Sequence, residues 1–236
     1  MRSFLDLLPE LGQGLWRDFF QVASQTQEIS LYRPFYPRTP GGLRFDHLLL
    51  ELELDRNSLY RQCELRQAYR RPASPLFWTM GAQQVGKAAL HGWQTVLQPA
   101  LALTEPHVGL WPFSGRLAEL LQPGKAVIAE IYPAEYYHRL GISLGKRSPA
   151  ARSENATALL AWARENDLEL DSQLETTIRL GFPGEQGGED AFDAVIGLLG
   201  MLAALYQSPA TLEPGEDRIR NIEGWILGQP VGEKWN

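Results

Sequence analysis

The segment 125–133 constrains the fold more than any other part of the sequence. It reads Lys-Ala-Val-Ile-Ala-Glu-Ile-Tyr-Pro, so Glu130 is the one carboxylate in an otherwise apolar run. Small, β-branched and aromatic residues between Gly124 and Pro133 predict a buried strand rather than a helix. A carboxylate in such a strand loses hydration at a cost of several kcal/mol unless a cation or hydrogen-bond donors compensate it. The sequence therefore predicts a functional site at Glu130.

Composition places the chain among ordinary globular proteins. With 236 residues, 44% of them hydrophobic and 21% charged, it can bury a sizeable core. We expect one domain over residues 1–236, in which 1–60 form a helical and loop region resembling an insertion. The net charge of −6 provides no general basic surface, so contact with nucleic acid would require a local basic patch.

Cysteine usage and hydropathy indicate where the protein resides. Cys63 is the only cysteine, which excludes an intramolecular disulfide and a zinc site of several cysteines, and fits a reducing compartment. No stretch approaches the length of a membrane span, and the apolar run near Met1 is too short for a secretory signal. The sequence predicts a cytoplasmic protein that does not enter a membrane.

Strand and helix signals alternate along the middle of the chain. A second apolar run at 108–113 precedes a short helical segment at 115–121 and then the strand at 125–133, so we expect the two strands to be neighbours in one sheet. A helix beginning at Pro133 and running to Leu140 follows. Other helices are predicted at 13–25, 79–97, 148–165 and 171–180, with Pro99 ending the second of these. This order predicts an α/β fold.

The segment 187–206 predicts a central helix, because it is apolar nearly all round except for its first turn. Glu189 and Asp190 can be explained as capping residues at the helix N-terminus. Asp193 projects from the same face as Asp190, because residues three positions apart share a helix face. Together with Glu130 these acids would form a cluster that requires a divalent cation, and oxygen-only ligands suit Mg²⁺ or Mn²⁺.

These motifs resemble a known superfamily. Glu130 in a strand, followed later by Asp190-Ala191-Phe192-Asp193-Ala194 at the start of the last long helix, resembles the ribonuclease H-like superfamily. This segment, together with Ala129-Glu130-Ile131-Tyr132-Pro133-Ala134-Glu135 and Glu223-Gly224-Trp225-Ile226, looks more narrowly like the DUF429 family of predicted RNase H-like nucleases. The resemblance extends from about residue 61 to residue 226. It implies a helix-rich RNase H-like α/β domain around a central sheet.

The resemblance also implies metal-dependent hydrolysis of phosphodiester bonds. Glu130, Asp190 and Asp193 would be the catalytic residues and the ligands of Mg²⁺ or Mn²⁺. Basic side chains would contact the phosphates of a nucleic-acid substrate; the candidates are Arg61, Arg70, Arg71, Lys146 and Arg147.

The sequence departs from the family pattern at its start. The family opens with a β-hairpin whose first strand carries a metal-binding aspartate, whereas this chain begins on a helix-like segment. We therefore expect a central sheet that is incomplete at its N-terminal side, or a degenerate site.

Two other function classes remain to be compared. A non-catalytic scaffold or nucleic-acid-binding protein on the same fold is favoured by the acidic charge and the missing aspartate, and disfavoured by the presence of Glu130 and Asp193. A metal-free enzyme acting on small molecules lacks a recognisable nucleophile and base pair. Neither Cys63 nor any of the histidines has informative spacing; these are His47, His91, His107 and His138.

Overall fold

The computed structural model describes residues 49–50, 53–75, 89, 92–101, 107–143, 146–184, 188–206, 213–217 and 219–231. The predicted helix at 13–25 lies outside these residues. The chain forms two compact units. Unit 1 comprises Met1–Ile128 and Pro214–Trp225, and unit 2 comprises Ala129–Glu213 and Ile226–Asn236. A single domain over 1–236 stays a prediction.

Short helical turns open the described part of unit 1. Arg56–Leu59 and Gln62–Glu64 are 3-10 turns. The carboxylate of Asp55 caps the first, because it accepts a hydrogen bond of 2.7 Å from the backbone N–H of Asn57. The hydroxyl of Ser58 also donates to this carboxylate, and this bond, with the neighbouring backbone donors, lowers the pKa of Asp55.

The end of the predicted helix at 79–97 differs from expectation. Trp93–Leu97 is a π-helical turn, and helix α1 follows directly at Gln98–Leu101. The expectation that Pro99 ends the helix is wrong. Pro99 lies inside a continuous helical run over 92–101, where it has no backbone N–H to donate, and the π-helical turn directly before it is the kind of irregularity that accompanies proline within a helix.

Unit 1 contains a two-stranded parallel sheet. Strand β1 is Val108–Leu110 and strand β2 is Ala126–Ile128, with Gly109 opposite Val127 in the register. Helix α2, Leu117–Leu120, lies between them in sequence. The prediction that these two apolar runs are sheet neighbours is confirmed. The described residues thus combine helices with a small parallel sheet, roughly an α/β arrangement.

Unit 2 is built mainly from helices, the longest of which is the last. They are α3 at Pro133–Tyr136, α4 at Pro149–Ser153, α5 at Ala156–Glu165, α6 at Ser172–Arg179 and α7 at Gly188–Leu205. The predicted helix 148–165 is broken by a turn at 154–155, where the buried Asn155 side chain accepts the backbone N–H of Ser143 at 2.8 Å. The Asp171 carboxylate caps α6, as its position before the helical pattern suggests.

The core of unit 2 is formed by residues of α3, α5, α6 and α7. Tyr136, Phe192 and Ile196 are completely buried, and the rings of Phe182 and Phe192 meet edge to face at 5.7 Å. Gly200 allows the close approach of α3 and α7, because a Cβ atom there would lie 2.1 Å from Tyr136 Cγ. Of the helices in the described ranges, none is long and apolar enough to cross a membrane.

Candidate functional site

The start of α7 carries a group of acidic side chains that faces a lysine. Two of its acids, Glu189 and Asp193, face the ammonium group of Lys146. Lys146 Nζ lies 2.5 Å from Asp193 Oδ2 and 3.4 Å from Glu189 Oε1. The Lys146 and Asp193 side chains are 30% and 27% exposed, so water only partly screens their ion pair. Two carboxylates therefore converge on one cation.

Tyr137 contacts the other oxygen of Asp193. The Tyr137 hydroxyl lies 3.4 Å from Asp193 Oδ1, and the residue is buried. Burial first, and then the negative charge and hydrogen bond of Asp193, raise the pKa of the Tyr137 hydroxyl well above its ordinary value. The hydroxyl therefore keeps its proton and acts as a donor, which fixes the orientation of the Asp193 carboxylate.

The charge of Lys146 is stabilised by the same group. Partial burial lowers the pKa of a lysine, but the hydrogen bond and attraction from Asp193, with a contribution from Glu189, outweigh burial. The pKa of Lys146 is therefore raised. Lys146 remains a cation at any physiological pH, which makes it a permanent counter-charge for the helix acids.

Arg152, in α4, holds the backbone on which Lys146 sits. Its guanidinium donates to the carbonyl of Lys146 at 2.7 Å, to that of Gly181 at 2.8 Å and to that of Phe182 at 3.1 Å. Only 3% of Arg152 is exposed. A Cβ atom at Gly188 would lie 2.7 Å from Arg152 Nη2, so glycine is required at the start of α7. One buried side chain thus ties the Lys146 segment to the turn before the acidic helix.

Glu130 is not in the environment that the sequence predicted. The predicted strand at 125–133 is limited to β2, and Glu130 forms an isolated parallel bridge with Ile226, in which its carbonyl accepts the N–H of Leu227 at 2.9 Å. Its side chain is exposed, so the expectation of a buried carboxylate is wrong. The neighbouring Ile131 directs its Cδ1 atom towards Gly197 of α7, and side chains alternate in extended backbone. None of residues 125–133 is buried, and Ile131 is itself 37% exposed, so the expectation of a buried strand is wrong for the segment as a whole.

The structure does not gather the three predicted ligands. Asp190 is exposed on the first turn of α7. Across the residues that the structure describes, no group of three or more His, Cys, Asp or Glu side chains is arranged to hold a metal ion. Glu130, Asp190 and Asp193 all belong to those residues, so they do not form such a group.

The basic residues predicted to contact phosphate divide into internal and external ones. Arg61 and Arg70 are only 4% and 7% exposed. Arg61 Nε pairs with Glu64 Oε1 at 2.9 Å, and the Arg70 guanidinium donates to the carbonyl of Cys63 at 2.7 Å. Both therefore stabilise unit 1 internally. Arg71 and Arg147 are exposed, as a phosphate contact requires.

Sequence reasoning overlooked two contributors, Tyr137 and Arg152, and assigned Lys146 only to substrate phosphate. Lys146 and Asp193 are 47 positions apart, so no local pattern connects them. Arg152 binds carbonyl groups, which every residue carries, and the sequence gives no signal for that. For Lys146, the only indication in the sequence was its position just before the helix start at Ser148-Pro149.

Comparisons with known proteins return no relative. No protein-family model matches the chain, and neither the curated proteins nor the solved structures contain a match.

Proposed function

We propose that this protein hydrolyses phosphodiester bonds with the help of a divalent cation bound at the start of α7. The observation that supports the proposal is the convergence of Asp193 and Glu189 on one cationic group, the Lys146 ammonium. Carboxylates directed at a common point repel each other unless a cation lies between them. In the structure the Lys146 ammonium supplies the positive charge that both carboxylates face.

The donor atoms fit a hard cation. Asp193 and Glu189 offer only oxygen, the ligand that Mg²⁺ and Mn²⁺ prefer. Two carboxylates leave most of the coordination to water, so we expect Mg²⁺ to bind weakly. A bound cation of this kind would supply an activated water and stabilise charge on the leaving oxygen. Glu130 and Asp190 stay predicted ligands on the basis of the family resemblance.

The chain's own residues have separable roles in this proposal. Asp193 and Glu189 hold the cation, and the Tyr137 hydroxyl orients the Asp193 carboxylate through their hydrogen bond. The Lys146 ammonium offsets part of the negative charge of these two acids, which limits their mutual repulsion. The exposed Arg147, next to Lys146 in the chain, is placed to contact a substrate phosphate. The cytoplasmic location expected from the single cysteine belongs to the same proposal.

The test is a cleavage assay with fluorescent single-stranded and duplex DNA and RNA in the presence of Mn²⁺. We expect slow, metal-dependent cleavage that Asp193→Asn abolishes. Asp167→Asn is the matched control, because Asp167 is exposed and has a positive φ of 54°, a conformation that asparagine tolerates. Equal cleavage by wild type and Asp193→Asn would refute the role of Asp193.

A second candidate is a binding protein on the same fold without catalysis. It is favoured by the ion pair that already neutralises Asp193, and by the fact that the described residues form no group of three metal ligands. This candidate predicts that wild type and Asp193→Asn bind nucleic acid equally well and that neither cleaves it. Filter-binding measurements at several salt concentrations, run beside the cleavage assay, distinguish the two.

A further inference from the structure

Unit 1 contains a buried carboxylate that has no complete set of partners. Glu223 ends the π-helical turn Ile219–Glu223 and is 4% exposed. Its Oε1 atom accepts a short hydrogen bond from the backbone N–H of Gln62. Its Oε2 atom is buried and has no hydrogen-bond partner among the residues that the structure describes. An oxygen in that position is unfavourable when the carboxylate is ionised.

The nearest cation is already engaged by another acid. Arg61 Nε lies 2.9 Å from Glu64 Oε1, and the Arg61 backbone N–H donates to Glu64 Oε2 at 2.8 Å. Arg61 Nη1 also donates to the backbone carbonyl of Glu223 at 3.4 Å. Glu64 is itself 2% exposed. The single positive charge of Arg61 is therefore shared between two buried carboxylates, those of Glu64 and Glu223.

The buried group formed by Arg61, Glu64 and Glu223 has more negative than positive charge when both acids are ionised. Arg61 contributes one positive charge, while Glu64 and Glu223 contribute two negative charges when both are ionised. Glu216, in the stretch that precedes the π-helical turn, adds further negative potential at Glu223. A buried group of net negative charge is costly, and one proton on Glu223 would make the three side chains neutral.

The direction of the pKa shift agrees with that count. Burial is the largest cause and raises the pKa of Glu223. The Gln62 N–H and the charge of Arg61 lower this pKa, while the charges of Glu64 and Glu216 raise it further. The resulting pKa is about 7. Protonation also turns one carboxylate oxygen into a hydroxyl, which is less costly to bury than a charged oxygen.

We propose that Glu223 holds two turns of unit 1 together and that its protonation state controls the strength of this contact. In its neutral form it holds the Arg61–Glu64 turn to the Ile219–Glu223 turn, and its ionisation in the neutral pH range weakens that attachment. A folded-state pKa above the unfolded value means that the stabilisation is complete at pH below about 4.5 and is lost as pH rises through about 7. This contact does not depend on the proposed function, because it involves none of Lys146, Glu189 and Asp193.

The test compares the full chain with Glu223→Gln, an isosteric side chain that cannot ionise. Urea unfolding is measured between pH 5 and pH 8.5. We expect the two proteins to be similar near pH 5, and the unfolding equilibrium constant of wild type to rise relative to the variant on the order of tenfold or more by pH 8. Glu119→Gln, at an exposed position of unit 1, is the control and should show a constant difference from wild type. If the unfolding equilibrium constants of wild type and Glu223→Gln change with pH in parallel, the proposal is overturned.

A local readout and a second variant locate the effect. Amide exchange of Gln62, whose N–H is bound to Glu223, should be faster in wild type than in Glu223→Gln at pH 8 and equal at pH 5. Glu64→Gln removes the competing carboxylate, so the midpoint of the Glu223 titration, followed by carbon NMR of the carboxyl, should fall. A wild-type midpoint below about 5, or a midpoint that Glu64→Gln leaves unchanged, overturns the proposal even if Glu223→Gln does not fold.

Discussion

The Tyr136 hydroxyl donates a hydrogen bond of 2.6 Å to the backbone carbonyl of Leu227, and both residues are buried. The bond joins α3 to the segment that follows Ile226, the residue whose backbone pairs with Glu130. Burial, followed by the nearby negative charge of Glu135, raises the pKa of the Tyr136 hydroxyl far above its ordinary range, so the donor keeps its proton. This one bond therefore helps to fix the position of the Glu130 backbone.

Replacing Tyr136 by phenylalanine should destabilise the protein by about 1–2 kcal/mol, because the Leu227 carbonyl loses its donor in a buried place while the ring stays. Urea denaturation measures the change. Tyr206→Phe is the control, since Tyr206 is 57% exposed, and it should alter stability by less than about 0.5 kcal/mol. A difference of the same size for both variants would contradict the role of the Tyr136 bond.

Replacing either of two glycines of α7 by alanine should change stability by different amounts. A Cβ atom at Gly200 would lie 2.1 Å from Cγ of the Tyr136 ring, which cannot move without displacing the core. At Gly197 the nearest atom, at 2.5 Å, is the terminal Cδ1 of Ile131, which a rotamer change can move. Gly200→Ala should therefore cost about 3 kcal/mol or more, while Gly197→Ala should cost about 1 kcal/mol or less. Thermal unfolding measures the stability of both variants. Equal unfolding temperatures would mean that the close packing of Gly200 on Tyr136 is unimportant.

Local patterns in the sequence were sufficient for much of the secondary structure. Two apolar runs separated by a short helix predicted that β1 and β2 pair, and the apolar content of 187–206 predicted α7 almost to its ends, Gly188 and Leu205. These predictions succeed because hydrophobic periodicity and helix-start residues act over a few positions. The position of Pro99 was misjudged, because proline ends many helices but can also lie within one whose preceding turn is irregular.

The candidate site depends on contacts that local patterns do not encode. Glu130 was expected to be buried because its neighbours are apolar, but burial depends on what packs against a segment, and none of residues 125–133 is buried. The pairing of Lys146 with Asp193 joins two segments far apart in the chain. Clustering of acids at a helix start also has a capping explanation, so Asp190 and Glu189 alone could not indicate a cation site.

Arg152 should be the most sensitive basic residue of unit 2. Replacing it with leucine leaves the carbonyls of Lys146, Gly181 and Phe182 without their donor, which should cost about 3 kcal/mol or more. Arg164→Leu is the control, because Arg164 is an exposed arginine on α5, and its effect on urea denaturation should be small. Similar unfolding free energies for the two variants would mean that the three carbonyl contacts contribute little.

Lys146 should compete with added metal for the helix acids. Its ion pair with Asp193 is partly exposed, so removing it frees the carboxylate for another cation at a gain of about 1 kcal/mol. We expect Lys146→Met to bind Mn²⁺ about fivefold more tightly than wild type, as measured by the loss of the free Mn²⁺ signal in electron paramagnetic resonance. Lys125→Met, at an exposed position, should leave the affinity unchanged. Adding Asp193→Asn to Lys146→Met should remove the gain, because the carboxylate that Lys146 releases is the one that the metal needs. Weaker binding by Lys146→Met than by wild type would show that Lys146 assists the site, and no binding by either protein would count against a metal at the start of α7.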